Sequence, residues 1–173
     1  MPDDVSTRLS GTSYAVLGLI AAWGPCTPYD LKRAIETTVE NFWPVPHTTF
    51  YVEPARLAEA GLLTVDQEEG GRRRKLYAVT AAGRRALEAW VAEPSAAPPQ
   101  LRDELVLKVF LGADPEPLTA ERVAWHQAKL AELEGYLELV RAGEGTAGMD
   151  NALVAGREYH RALIGMLERL TGA

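Results

Sequence analysis

The sequence predicts a mainly α-helical protein that carries one short β-hairpin. Three features in a fixed order predict this. A helical segment, Thr48 to Ala60, ends at Gly61. A short apolar run, Leu62 to Val65, follows and turns through acidic residues onto Gly70-Gly71. Four cations (Arg72, Arg73, Arg74 and Lys75) then lead into Leu76 to Val79 and Thr80. A helix followed at once by a hairpin with a basic arm has the shape of a winged helix-turn-helix. Both elements of such a unit can reach one DNA duplex.

The elements around this core follow in order. Ser13 to Trp23 reads as a helix with Tyr14, Leu17 and Ile20/Ala21 on one face, stopped by Gly24-Pro25. A second helix restarts with Thr27 as N-cap, Pro28 at the first helical position and Asp30 completing a capping box. It runs through Leu31 and Ile35 to about Val39, where Thr37, Thr38 and Val39 continue a helix poorly. Phe42-Trp43-Pro44-Val45-Pro46 is a rigid connector, with Val45 biased towards extended geometry. Phe42 and Trp43 are expected as core or interface anchors. The third helix carries Phe50, Leu57 and Leu62 inward. Pro54 removes one of its backbone hydrogen bonds, so that helix is expected to bend or to start late. In the hairpin, Tyr77 and Val79 share one face, opposite Leu76 and Ala78. Thr80 caps a fourth helix, Ala81 to Ala92, and Pro94 to Pro99 is a linker by composition.

The second half reads as a helical domain. Leu101 to Leu111 is a short helix with Leu101, Leu105 and Val109 on one face, broken by Asp114-Pro-Glu-Pro117. Thr119 is expected to cap a long helix through Arg141, with heptad-like spacing of Val123, Leu130, Leu133, Leu137 and Val140. Gly143, Gly145 and Gly148 supply a turn. Asp150 to Leu170 repeats the pattern with Leu153, His160, Leu163, Leu167 and Leu170. A two-helix hairpin of this size cannot bury both stripes against itself, so a partner surface is expected. Val123, Leu130, Leu133, Leu137, Leu153, Leu163 and Leu167 are the candidate dimerisation residues.

Composition narrows the function. The chain has 173 residues, 47% hydrophobic and 24% charged, in the range of globular domains. No apolar run approaches a membrane-spanning length. The acidic start, Met1-Pro2-Asp3-Asp4, is unlike a targeting signal, so a cytoplasmic location is expected. The single cysteine, Cys26, excludes an internal disulfide and any metal-binding cysteine cluster. Net charge is −6; residues 1–93 hold 10 Lys/Arg against 12 Asp/Glu. That balance disfavours tight nonspecific DNA binding. Yet six of those ten cations lie between Arg72 and Arg85, and phosphate affinity depends on where cations cluster.

The residues quoted above resemble the PadR family of bacterial winged-helix transcriptional regulators, over residues 9–93. Four pieces in order carry the resemblance: Tyr14-Ala-Val-Leu-Gly-Leu-Ile; Gly24-Pro25 with Pro28-Tyr29-Asp30-Leu31 and Ile35; Phe42-Trp43 with Tyr51, Arg56-Leu57 and Gly61-Leu62; and Arg73-Arg74-Lys75-Leu76-Tyr77 leading to Thr80 and Gly83. Val52 stands where the family usually has proline, and Pro54 where it usually has an apolar residue. Residues 100–173 resemble, by pattern, the helical dimerisation domain of the members with a long C-terminal part. The resemblance implies a homodimer on a pseudo-palindromic operator in double-stranded DNA, usually a repressor, sometimes released by a small aromatic molecule.

The candidate DNA-binding residues are Thr48, Thr49, Tyr51 and Arg56 on the third helix and Arg72, Arg73, Arg74 and Lys75 on the hairpin. Short hydroxyls at a helix N-terminus suit phosphate contacts. Thr48 could equally serve as a cap, and Arg56 could pair with Glu53 or Glu59. Strand alternation sends Arg72 and Arg74 to one face and Arg73 and Lys75 to the other. Trp23, Trp43 and Trp125 are candidates to line a site for a flat aromatic effector, against plain packing. His126 and His160 occupy core slots on facing helices, but two histidines are thin evidence for a metal. No catalytic constellation, phosphate loop or cofactor motif is present. An adapter that uses the winged fold to dock proteins, without touching DNA, is the alternative.

Overall fold

The computed structural model describes residues 9–39, 42–67, 73–96, 98, 102–143 and 148–172. The chain divides between residues 96 and 97 into two compact units.

The first unit opens with helix α1, Gly11–Trp23. It starts two residues upstream of the expected Ser13, behind a capping box: Ser13 N–H donates to Ser10 Oγ at 3.2 Å, and Ser10 N–H donates to Ser13 Oγ at 2.9 Å. Helix α2, Pro28–Thr37, begins as the sequence implies. Asp30 N–H donates to Thr27 Oγ1 at 3.2 Å and Thr27 N–H to Asp30 Oδ2 at 3.0 Å. Helix α3, Thr49–Glu59, runs through Pro54, whose ring is buried beside Phe50 and Leu57. Apolar contact of the ring with the core offsets the missing hydrogen bond. The helix ends in a Schellman-type turn: Gly61 takes φ 72°, its N–H donates to Ala58 O and Leu62 N–H to Leu57 O, both at 2.9 Å.

Strands β1, Leu63–Gln67, and β2, Lys75–Val79, pair antiparallel with Leu63 opposite Val79 and Val65 opposite Tyr77. Both are slightly longer than the apolar runs that announced them. Cys26 extends the sheet by one residue on the other edge of β2. It exchanges backbone hydrogen bonds of 3.0 and 2.9 Å with Tyr77. Burial, with the nearby Asp30 carboxylate, pushes its thiol up to about 11, which disfavours the thiolate. Helix α4, Ala81–Ala92, is capped by Thr80, which accepts from Gly83 N–H at 3.0 Å.

Val16, Leu17, Ile20, Leu31, Ile35, Val45, Phe50, Leu57, Leu63 and Tyr77 form one core. Each such side chain contributes roughly 1.5–3 kcal/mol when fully buried. Phe42 and Trp43 are not in it: both are exposed. Trp43 anchors from outside instead. Its Nε1 donates to Thr12 Oγ1 at 3.1 Å, and its ring lies over Gly11, where an added Cβ would approach to 2.5 Å. Trp90 stacks on Tyr14 with centroids 4.4 Å apart.

In the second unit, α5 spans Glu104–Phe110. It starts later than expected, because Asp103 takes the N-cap and accepts from Leu105 and Val106 N–H at 2.9 and 3.3 Å. Leu101, Gly70-Gly71 and Gly145 lie outside the described residues. Helix α6, Glu116–Arg141, starts three residues before Thr119. Pro117 does not break it, since a first-turn residue needs no amide proton. Thr119 is therefore no cap; it is buried and its hydroxyl donates to Glu116 O at 3.3 Å. Helix α7, Met149–Thr171, packs back along α6. Leu133, Leu137 and Leu167 are buried in this hairpin, while Val123, Leu130, Leu153 and Leu163 stay half-exposed. Arg122 clamps Asp103 through two bonds of 2.6 and 2.8 Å. Burial pushes the Asp103 carboxyl up, but the Arg122 pair outweighs it and holds the group below the usual range.

His126 and His160 meet inside the hairpin, with Nδ1 to Nδ1 at 2.8 Å. One ring must donate and the other accept, so the contact requires a neutral imidazole. Burial lowers both pKa values; His160 and Arg122 further lower that of His126 against the pull of Asp103, and Lys129 lowers that of His160. Above the ordinary value of 6.5 both are neutral, folded or not. As pH falls through that value, the unfolded chain binds protons first, and stability is lost. Thermal melts of the wild type should therefore decline from about pH 6.5 towards pH 5. The double variant His126→Leu/His160→Leu should lack that slope. A wild-type melting temperature flat over the same range would contradict a neutral pair.

Candidate nucleic-acid interface

The first unit brings the outer side of α3 and the start of β2 together. Ala55, Ala58 and Glu59 of α3 and Val65 and Lys75 of the hairpin line one open groove of about 510 Å³. Thr48 and Tyr51 are exposed at the N-terminal turn of α3, with Thr49 half-buried between them. Thr48 makes no side-chain cap bond and already has helical dihedrals, so its hydroxyl is not consumed by capping.

Arg56 is half-buried and already engaged. Its Nε and Nη2 donate to the two Glu53 oxygens at 3.0 and 2.6 Å, and Nη2 also reaches Ser13 Oγ at 2.9 Å. Ser13 is fully buried, so this guanidinium ties α3 to α1. The Arg56 hydrogen bond, opposed by burial, keeps the Glu53 carboxyl below its ordinary range.

Arg73, Arg74 and Lys75 are exposed, and Arg72 lies outside the described residues. The expected alternation does not hold across Arg73. Its φ is 44°, in the left-handed region, and β2 begins only at Lys75. The arm therefore turns at Arg73 rather than continuing as strand. Arg74 approaches Asp30: that carboxyl is lowered first by the Thr27 hydroxyl and N–H, then by Arg74 and Arg33.

Three positions were missed by reasoning from residue type. Val52, Ala55 and Glu59 share the outward face of α3 with Thr48, and only the spacing of four, three and four marks them. The candidate effector tryptophans fall in separate places. Trp23 lines a cleft of about 250 Å³ with Asp30, Arg33 and Ala34. Trp43 lies on Gly11, as described. Trp125, in the second unit, is exposed and stands edge-on to His126 at 4.9 Å. Among the described residues no helix is long and apolar enough to cross a membrane.

Comparison with known proteins agrees with this geometry. Residues 16–89 match the sequence model of the transcriptional regulator PadR-like family. The negative transcriptional regulator PadR of Bacillus subtilis is 27% identical over 136 residues, which is 75% of this chain and 74% of that protein. The crystal structure of Bacillus subtilis PadR with operator DNA superposes with a TM-score of 0.80 at 23% identity, covering 95% of this chain and 98% of that one. The same protein with p-coumaric acid gives a TM-score of 0.72 at 24% identity over 92% and 96%. Residues 16–89 thus carry the sequence signature of the transcriptional regulator PadR-like family, and the chain shares the fold of these PadR structures.

Proposed function

We propose that this chain is a cytoplasmic repressor that binds a pseudo-palindromic operator as a homodimer, through residues 9–93, and dimerises through residues 100–173. It acts by binding rather than by catalysis. The observation that carries the reading is the groove shared by α3 and Lys75, which lets one duplex meet the helix and the basic arm together. Thr48, Thr49 and Tyr51 supply short polar contacts and Arg73, Arg74 and Lys75 the charge. Arg56 ties α3 to α1. A gel shift with duplex from the protein's own promoter region tests it. A discrete complex is expected; an adapter that docks proteins would leave the duplex unshifted.

The dimer reading rests on apolar surface. Phe110 is 82% exposed, and Leu107 and Leu111 are exposed beside it on and after α5. Monomers rarely leave such a cluster uncovered. Leu133, Leu137 and Leu167 build the hairpin interior, so charging them would unfold it rather than test the interface. Leu107→Glu/Phe110→Glu, placed on the surface, should sediment as monomer with unchanged helicity. An intact dimer would move the interface elsewhere.

The effector reading rests on the exposed tryptophans and on the p-coumaric acid complex of the Bacillus subtilis protein. The cleft beside Trp23 offers a flat ring on which an aromatic molecule can stack. Titration with p-coumaric acid should quench tryptophan emission and release DNA in parallel. Quenching without release would show a pocket but no switch, because a ligand shifts an equilibrium only by binding its two states differently.

A further inference from the structure

We propose that Val52 reads the 5-methyl group of a thymine in each operator half-site. The inference deepens the DNA-binding reading above and rests on it.

Helix α3 buries Phe50, Pro54 and Leu57. Residues two apart point to opposite sides of a helix, so Val52, midway between Phe50 and Pro54, faces away from the core. It is 63% exposed. Thr48, Ala55 and Glu59 complete the same outward stripe. An exposed valine in a helix has no local rationale. It forms helix less readily than alanine, and here it buries little.

The stripe is also defined by what it lacks. Arginine and lysine read guanine, and asparagine and glutamine read adenine, by paired hydrogen bonds in the major groove. None of these four types lies on the outward face of α3. The one cation in the helix, Arg56, is engaged by Glu53 and Ser13. What the face offers is methyl groups, from Thr48, Val52 and Ala55, with the Tyr51 ring and hydroxyl and one carboxylate beside them. The major-groove feature that matches a methyl surface is the thymine C5-methyl. Valine suits it because its branched side chain holds one rotamer in a helix, so little entropy is lost on contact.

The test uses the full-length protein. Duplexes enriched from a random-sequence library are remade with each thymine in turn replaced by deoxyuridine, which removes only the methyl. Wild-type affinity should fall at one symmetry-related pair of positions, by about fourfold per half-site for one buried methyl. Val52→Ala should bind the thymine and uracil duplexes equally, with its salt dependence and melting temperature unchanged. Two results overturn the proposal: wild-type binding indifferent to every thymine methyl, or a Val52→Ala protein as methyl-sensitive as the wild type. If the library yields no enriched duplex, the DNA-binding reading fails and takes this inference with it.

Discussion

Gly83→Ala should destabilise the first unit by about 3 kcal/mol, the upper end for forcing one extra carbon into a packed site. A Cβ at this position would overlap the carbonyl oxygen of Leu62 and sit 3.0 Å from its carbon. The obstacle is backbone, so no side-chain rotation relieves it. Nor can the carbonyl swing away easily. Thr80 N–H and Thr80 Oγ1 both donate to Leu62 O at 3.1 Å, and the same hydroxyl caps Gly83 N–H. The substitution would therefore pull apart the joint where β1, β2 and α4 meet. Gly135 in α6 is the control. Nothing lies within 4 Å of a Cβ there, so Gly135→Ala should gain up to about 1 kcal/mol from helix propensity. Urea denaturation of both variants reads the contrast; a Gly83→Ala midpoint equal to wild type would show that the joint is looser than its geometry.

The basic arm should carry much of the DNA affinity. Each phosphate contact contributes close to one unit of slope in log affinity against log salt, or about eightfold at 0.1 M salt relative to 1 M. A dimer that loses one contact per arm should then bind about sixtyfold more weakly, with a slope shallower by about two units. The combined variant Arg73→Ala/Arg74→Ala/Lys75→Ala should show at least this, with its melting temperature near wild type because all three are exposed. Arg74 also sits near Asp30, so its single replacement should weaken DNA binding and slightly raise the Asp30 pKa. A triple variant with an unchanged slope would remove the arm from the interface.

Much of this architecture could be read from the chain because the signals were local. Thr27, Pro28 and Asp30 specify the start of α2, Gly61 the end of α3, and Thr80 the start of α4; all three stand where the pattern puts them. Some differences come from local caps that apolar spacing does not reveal, and others from tertiary contact. Ser10 and Ser13 move the start of α1 upstream, Asp103 claims the cap of α5, and Pro117, expected in the break after α5, falls in the first turn of α6. For Arg56 the sequence offers DNA or a pair with Glu53 or Glu59; the Glu53 pair forms, while the bond to buried Ser13, forty-three residues away, has no signal in sequence. Strand alternation failed at Arg73 because a positive φ cannot be read from four consecutive cations. The outward stripe of α3 was hidden for the opposite reason: valine and alanine carry no polar group to draw notice.

The central claim is that this winged unit recognises a particular duplex. The direct measurement is fluorescence anisotropy of the full-length protein on labelled duplex from its own promoter region, in parallel with a scrambled duplex of equal length and composition. At 0.15 M salt the promoter duplex should bind at least about a thousandfold more tightly, the low end for specific over nonspecific binding. Equal affinity for the two duplexes, or no binding to either, would contradict the account.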